Sequence, residues 1–221
     1  MGTVKYIHEG GVGEILEKKS RFIATVRSVS TEEEAAAFIA EMKKKYWDAR
    51  HNCSAFVLGD NGELTRCSDD GEPSGTAGRP MLEVLLGSGV RNVCAVVTRY
   101  FGGVLLGTGG LVRAYSDAVN AGLNNSVIIE VREGFLCKLV IEYTDLAKLQ
   151  YLFSRPPYEI RDTAYEDKVI FELAIPAEEF EAEKKKITEA TGGRVVLTPY
   201  ASCKFARAGE ELLIFEERKL P

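Results

Sequence analysis

The stretch Val93 to Thr98 is almost continuously apolar, and glycine-rich chain follows it at once: Arg99-Tyr100-Phe101-Gly102-Gly103, then Gly107-Thr108-Gly109-Gly110. A strand whose residues do not alternate is buried on both faces, so the chain is read as mixed α/β (α+β) around a covered sheet. Beyond the glycines, Leu111, Ala114, Ala118 and Ala121 recur at helical spacing, with Arg113 and Asp117 set to pair at i, i+4 on another face. Strand end, glycine turn and helix start converge on one place, and Arg99 stands at the strand's carboxyl end.

The chain before this point supplies the neighbours. Glu14 to Val29 reads as a hairpin turning within Glu17 to Arg21. Ser30, with Glu33 three residues on, is expected to cap a helix carrying Ala35, Phe38, Ile39, Met42 and Tyr46. Cys53 to Leu58 is a short strand that returns through Asp60-Asn61-Gly62, residues tolerant of positive φ, into Glu63 to Cys67. A polar loop then runs from Ser68 to Pro80. Pro80 suits the first turn of a helix over Met81 to Leu86, which Gly87 to Gly89 ends. Val127 to Val131 closes this half as a strand.

From Phe135 the pattern restarts. Phe135, Cys137, Leu139, Ile141 and Tyr143 alternate along a strand, and Thr144 or Asp145 caps a helix with Leu146, Leu149, Leu152 and Phe153, stopped by Pro156 and Pro157. Extended segments over Tyr158 to Ala164 and Lys168 to Ile175 follow, then a helix from Glu178 to Ala190 and a strand within Arg194 to Phe205. The order β-α-β-β-α-β is the split unit of a ferredoxin-like domain. Two domains are therefore expected, residues 1–133 and 134–221, with a short joint at Glu133-Gly134; one larger α/β domain is the alternative. The tail from Ala208 to Pro221, which holds Leu212 to Phe215, is set to add a strand or pack on either domain.

A net charge of -5 argues against a protein that coats nucleic acid or anionic lipid through a global basic field, so any such contact must be local. The acids Glu32 to Glu34 precede Lys43 to Lys45 on one helix, and Glu178 to Glu183 precede Lys184 to Lys186 on another. That order complements the helix dipole and is read as structural rather than as a phosphate-recognition patch. The five cysteines include no Cys-x-x-Cys pair, which points to neither a disulfide framework nor zinc and fits a reducing cytoplasm. No apolar run is long enough for a membrane span, and Met1 to Gly13 lacks the apolar core of a signal peptide.

Three constellations can carry chemistry. Ser68 to Gly78 is a polar loop emptying into a helix, where Gly75, Thr76 and Gly78 offer backbone N–H groups to an anion. Its acids Asp69, Asp70 and Glu72 oppose an anion unless a divalent cation such as magnesium sits among them. The second constellation is Arg99 with Gly102, Gly103, Gly107, Gly109 and Gly110, backed by Arg113. A planar five-donor cation beside a glycine-rich helix start suits phosphate or carboxylate, although a buried structural arginine has the same sequence. The third is His51 with Cys53 on one strand face; a Cys-His nucleophile needs an orienting group that is not identifiable, and a small apolar cysteine beside a satisfied histidine is the plainer reading.

Ser68-Asp69-Asp70-Gly71-Glu72-Pro73 with Gly75 to Pro80, the segment Arg99 to Tyr115, and Ala49-Arg50-His51-Asn52-Cys53 together resemble the bacterial YigZ and eukaryotic IMPACT family over essentially the whole chain. Arg79 and Arg113 stand where lysine is as readily expected. The resemblance implies an N-terminal domain similar to the second domain of a small-subunit ribosomal protein and a C-terminal domain like one from translation elongation factor G. Eukaryotic members are regarded as translational regulators, but they carry a further recruiting domain with no counterpart in this sequence. What carries over is an association with ribosomes or RNA.

Two readings follow. In the first, the N-terminal domain grips phosphate groups of RNA on or near the ribosome, with Arg99 and Arg113 as cations. In the second, a magnesium ion held by Asp69, Asp70 and Glu72 serves an enzyme of a phosphorylated small molecule or nucleotide, with His51 as base. A protein partner, or a second copy pairing along a free sheet edge, is compatible with the same pattern.

Overall fold

The apolar run is the middle strand of a five-stranded sheet in a computed structural model that describes residues 3–220. The elements of this half are β1 (Val4–Glu9), β2 (Val12–Glu17), β3 (Ser20–Ser28), α1 (Glu32–Lys45), β4 (His51–Leu58), β5 (Leu64–Ser68), α2 (Gly78–Ser88), β6 (Val90–Arg91), β7 (Val93–Tyr100) and α3 (Thr108–Asn124). The sheet order is β2-β3-β7-β4-β5, antiparallel at every step, while β1 and β6 pair in parallel. Because side chains alternate across a strand, β7 serves two cores. Val93, Ala95 and Val97 pack with Met81 and Leu85 of α2 and Leu111, Ala114, Tyr115 and Ala118 of α3. Cys94 and Val96 pack with Phe38 and Met42 of α1. Burial on both faces thus arises here in an antiparallel sheet.

Local departures from the sequence reading have physical reasons. The β2–β3 turn is the pair Lys18-Lys19, with φ of 44° and 69°, the doubly left-handed turn that matches the twist of a two-residue hairpin. Thr31, not Ser30, caps α1: its hydroxyl accepts from Glu34 N at 3.2 Å, and Ser30 N donates to the Glu34 carboxylate at 2.6 Å. The capping box is one residue later than expected. In the β4–β5 hairpin, Gly59 and Gly62 carry the positive φ, rather than Asp60 or Asn61. α2 begins at Gly78, so Pro80 lies inside its first turn. Arg113 is exposed and forms no ion pair with Asp117 among the described residues.

The second half comprises β8 (Val127–Ile141), α4 (Tyr143–Phe153), β9 (Glu159–Tyr165), β10 (Val169–Pro176), α5 (Phe180–Ala190), β11 (Thr198–Ala208) and β12 (Glu211–Lys219). Antiparallel pairing runs β9-β10-β8-β11-β12. The first four strands stand in the order of a ferredoxin-like unit. The tail adds β12 beside β11, and α4 and α5 contribute Leu149, Phe153, Phe180 and Ile187 to the core against β8 and β10. The chain divides into two compact units, Val4–Ile129 and the chain from Glu130 onward. This division falls inside β8, so the expected joint at Glu133-Gly134 is continuous strand. Gly134 is there because β10 comes close: a Cβ would lie 2.3 Å from the Ile175 carbonyl oxygen.

Two further expectations are revised in this unit. Glu142, not Thr144 or Asp145, is the α4 N-cap, while buried Asp145 holds Arg194 at 2.7 Å. Lys184 to Lys186 lie in the middle of α5 rather than its last turn, and Lys186 pairs with buried Glu183 at 2.6 Å. Among the described residues no helix is long and apolar enough to cross a membrane.

Candidate functional site

Antiparallel pairing of β4 with β7 places His51 directly opposite Arg99 and Asn52 opposite Thr98. Thr98 donates to Asn52 Oδ1 at 2.7 Å inside the sheet. The polar loop after β5 folds over this corner, and each of its three acids takes a separate place. Asp69 turns onto the start of α2, where its carboxylate accepts from Gly75 N at 2.9 Å, Ala77 N at 3.0 Å and Gly78 N at 2.8 Å. Burial works to raise this carboxyl, but the three backbone donors outweigh it and hold it below the usual aspartate value. The protein's own carboxylate occupies the anion position at that helix terminus.

The first candidate phosphate loop is therefore satisfied internally. The N–H groups of Gly75 and Gly78 go to Asp69, and both the N–H and the hydroxyl of Thr76 go to the Pro73 carbonyl. Asp70 accepts from Lys43 at 2.5 Å and from Asn52 N at 2.6 Å. Glu72 turns inward, with its side chain only 3% exposed, to accept from Arg99 Nη1 at 2.6 Å and from the Tyr115 hydroxyl at 2.8 Å. The three carboxylates do not converge, and among the described residues no group of three or more His, Cys, Asp or Glu is placed to hold a metal ion. These donors do not fit the magnesium site read from the sequence.

Arg99 is thus a buried, neutralised arginine and not a free cation. Its Nε, sealed in the fold, has no hydrogen-bond partner, and its guanidinium lies over the rings of Phe22 and Phe101 at 5.3 and 5.6 Å. Cys53 is fully buried, with Sγ donating to the Asp69 carbonyl at 2.9 Å and lying 3.3 Å from the Tyr115 oxygen. Burial pushes its thiol up to about 12 despite the Tyr115 hydrogen bond, which removes it as a nucleophile. Burial, followed by Cys53 and Glu72, likewise raises the Tyr115 hydroxyl well above the usual tyrosine range.

His51 has a different position. Its Nδ1 lies 2.8 Å from the Asp70 carbonyl, an oxygen that only accepts, so Nδ1 carries the proton. The orienting group missing from the sequence reading is this main-chain carbonyl. Nε2 is left without a hydrogen-bond partner among the described residues, with Glu72 3.9 Å away.

These residues line a cleft of about 370 Å³, whose wall includes Arg50, His51, Glu72 and Arg99 together with Phe101, Leu105, Gly107 and Thr108. The cleft meets the start of α3, whose N-cap Gly107 has φ 72° and supplies no side-chain cap. In contrast to α2, the first-turn N–H groups of α3 receive no carboxylate among the described residues. Arg50 is exposed at the rim, 5.8 Å from the Phe101 ring. Among the other candidate glycines, Gly102 is required by packing, since a Cβ would lie 2.0 Å from the Lys19 carbonyl carbon. Gly103, Gly109, Gly110 and Arg113 are not part of the cleft wall. Sequence reasoning missed Tyr115 as the anchor of the Glu72 network and Arg50 as the rim cation. The signals for Tyr115 were its place on the apolar stripe of α3, four residues beyond Leu111, and its position at the end of the Arg99 to Tyr115 segment that resembles the family.

Comparison with known proteins covers both units. Residues 18–123 match the Impact N-terminal domain, and residues 139–194 match a domain of unknown function, DUF1949. The IMPACT family member YvyE of Bacillus subtilis is 44% identical over 188 residues, covering 85% of this chain and 87% of that protein. The IMPACT family member YigZ of Escherichia coli is 39% identical over 182 residues, covering 81% and 89%. A crystal structure of a hypothetical protein shares 36% identity and a TM-score of 0.57, over 89% of this chain and 97% of the other. With two bacterial relatives matched at this identity over most of both chains, and with the Impact domain spanning the cleft, the protein belongs to the IMPACT family.

Proposed function

We propose that the protein is a cytoplasmic, translation-associated factor that binds RNA, on or near the ribosome, by gripping phosphate in the cleft of the Val4–Ile129 unit. The observation that carries this reading is the start of α3. Its N–H groups are left without a side-chain cap beside exposed Arg50, whereas the equivalent groups of α2 are filled by Asp69. A helix terminus favours an anion by about 0.3–1 kcal/mol at the surface, and a charged hydrogen bond adds about 1.5–3 kcal/mol. With a net charge of -5 on the whole chain, attraction must come from this local arrangement. The motif resemblance to a family whose eukaryotic members regulate translation supplies the association with ribosomes.

The sequence reading is altered in one respect. Arg50 takes the part of cation first given to Arg99 and Arg113, and the glycine turn at the start of α3 keeps its part as backbone donor. The test is co-sedimentation with purified ribosomes across a salt series, for wild type, Arg50→Ala and Thr108→Pro. Proline is well tolerated at the first helical position and removes one N–H donor without disturbing the helix. Binding should fade with salt, and Arg50→Ala should lower the slope by about one unit. Thr108→Pro should weaken binding about tenfold, the loss of one charged hydrogen bond. Absence of binding at low salt, or binding indifferent to salt, refutes the proposal.

A further inference from the structure

We infer that the cleft takes a single ribonucleotide unit, with its phosphate at the start of α3, a ribose hydroxyl on His51 Nε2, and its base against the apolar lip of Phe101 and Leu105. This rests on the phosphate-gripping reading and narrows it from a strand backbone to one nucleotide. Three independent features of the wall ask for different parts of such a ligand.

The first is the anion position at Gly107 and Thr108, which suits a phosphate. The second is His51. With Nδ1 committed to the Asp70 carbonyl, its Nε2 has no hydrogen-bond partner among the described residues. Its neighbour Glu72 is a buried carboxylate already supplied by Arg99 and Tyr115. A sugar hydroxyl, which both donates and accepts, fits beside these two groups, whereas the carboxylate disfavours a second phosphate oxygen. The third feature is apolar surface with no place in a core. Leu105 is 82% exposed and Phe101 is 40% exposed, although both border a cleft whose floor includes buried Leu106 and Leu111. A flat base covers such a lip, and stacking on an aromatic ring is worth about 1–3 kcal/mol per base.

Size sets the limit. A cleft of about 370 Å³ is at the small end of ligand pockets, room for one nucleotide but not for a run of backbone. The ligand can be a free mononucleotide or the exposed end of an RNA strand, since both present the same phosphate, ribose and base.

The experiment is titration calorimetry of the full chain with the four nucleoside 5′-monophosphates, the matching 2′-deoxynucleotides, and unphosphorylated nucleosides. Short RNA strands bearing a 5′ or a 3′ phosphate are then used as competitors. At least one ribonucleotide should bind, its nucleoside should bind more weakly by about tenfold or more, and its deoxy form should bind more weakly by about two- to tenfold. His51→Phe should abolish the preference for ribose and retain the preference for phosphate; Arg50→Ala should do the reverse. Because His51 also ties down the Asp70 carbonyl, His51→Gln serves as a second variant, and near-ultraviolet circular dichroism confirms the fold of each. Competition by a phosphorylated strand end tighter than by the mononucleotide assigns the site to RNA ends, and the opposite order assigns it to free nucleotides. Ribosome binding that fades with salt and depends on Arg50, without binding of any mononucleotide or strand end, overturns this inference and leaves phosphate gripping intact. Loss of both overturns both.

Discussion

Replacing Glu72 with glutamine tests the centre of the site. The substitution keeps the shape of the side chain and an oxygen for the Tyr115 hydroxyl, but leaves Arg99 charged in a place where it is 6% exposed. Both partners of the pair are buried, their side chains 7% and 3% exposed, and they meet at 2.6 Å. Removing one charge of such a pair typically costs about 3–5 kcal/mol, because the other is left without compensation. Against a total stability of about 5–15 kcal/mol for a domain, this is a large share. Tyr115→Phe should cost less, about 1.5–3 kcal/mol for a hydrogen bond to a carboxylate, since the ion pair stays in place and Cys53 keeps the Asp69 carbonyl. Pairing Glu72→Gln with Arg99→Met should restore much of the loss. Urea unfolding followed by circular dichroism measures these values, and amide exchange along β7 assigns the transition to the Val4–Ile129 unit. A cost below about 1 kcal/mol for Glu72→Gln would refute the reasoning, since that is the range of a solvated surface pair. Arg99 would then be available to a ligand after all.

Two further outcomes follow from the same geometry. Asp69 is held below its usual value in the folded chain, so its contribution is complete above the unfolded aspartate value of about 4 and is lost as pH falls through the lower folded value. The stability gap between wild type and Asp69→Asn should be widest near neutrality and close below about pH 4, and a gap independent of pH would contradict the capping role. Alkylation of the native protein followed by mass spectrometry should modify Cys67, which is exposed, and spare Cys53, Cys94, Cys137 and Cys203, which are buried. Equally rapid labelling of Cys53 would show that the network around Tyr115 opens to solvent.

Periodicity made the elements legible, and its ambiguities explain the errors. The unalternating run of β7 announced burial on both faces, and the strand and helix order from Phe135 onward announced the split ferredoxin-like unit. Glycine and charge, by contrast, were read for one purpose when they served another. The joint was placed at Glu133-Gly134 because the alternating pattern restarts at Phe135, but Gly134 lies within β8, where it allows β10 to approach. The turn at Lys18-Lys19 carries a left-handed pair without asparagine or glycine, so nothing marked its type. Lys184 to Lys186 were read as the basic end of their helix, but α5 runs on to Ala190 and its last turn holds Glu189 and no basic residue.

The candidate site divides in the same way. The sequence itself offers the acid loop, Arg99 with its glycines, and His51 as three constellations, and the family resemblance is what sets His51 at the same site as the glycine turns. Which of them is free could not be argued from sequence. A carboxylate and an arginine have the same letters whether they meet a ligand or each other, and the choice depends on distances across β4, β7 and the loop above them. Tertiary packing gave Glu72 to Arg99, Asp69 to the start of α2 and the Asp70 carbonyl to His51. It left the start of α3, Arg50 and His51 Nε2 facing the cleft. Composition and spacing determined the elements and the corner where they meet; only the packed structure decided which polar groups there were already satisfied, because satisfaction is a matter of contact across the chain and not of order along it.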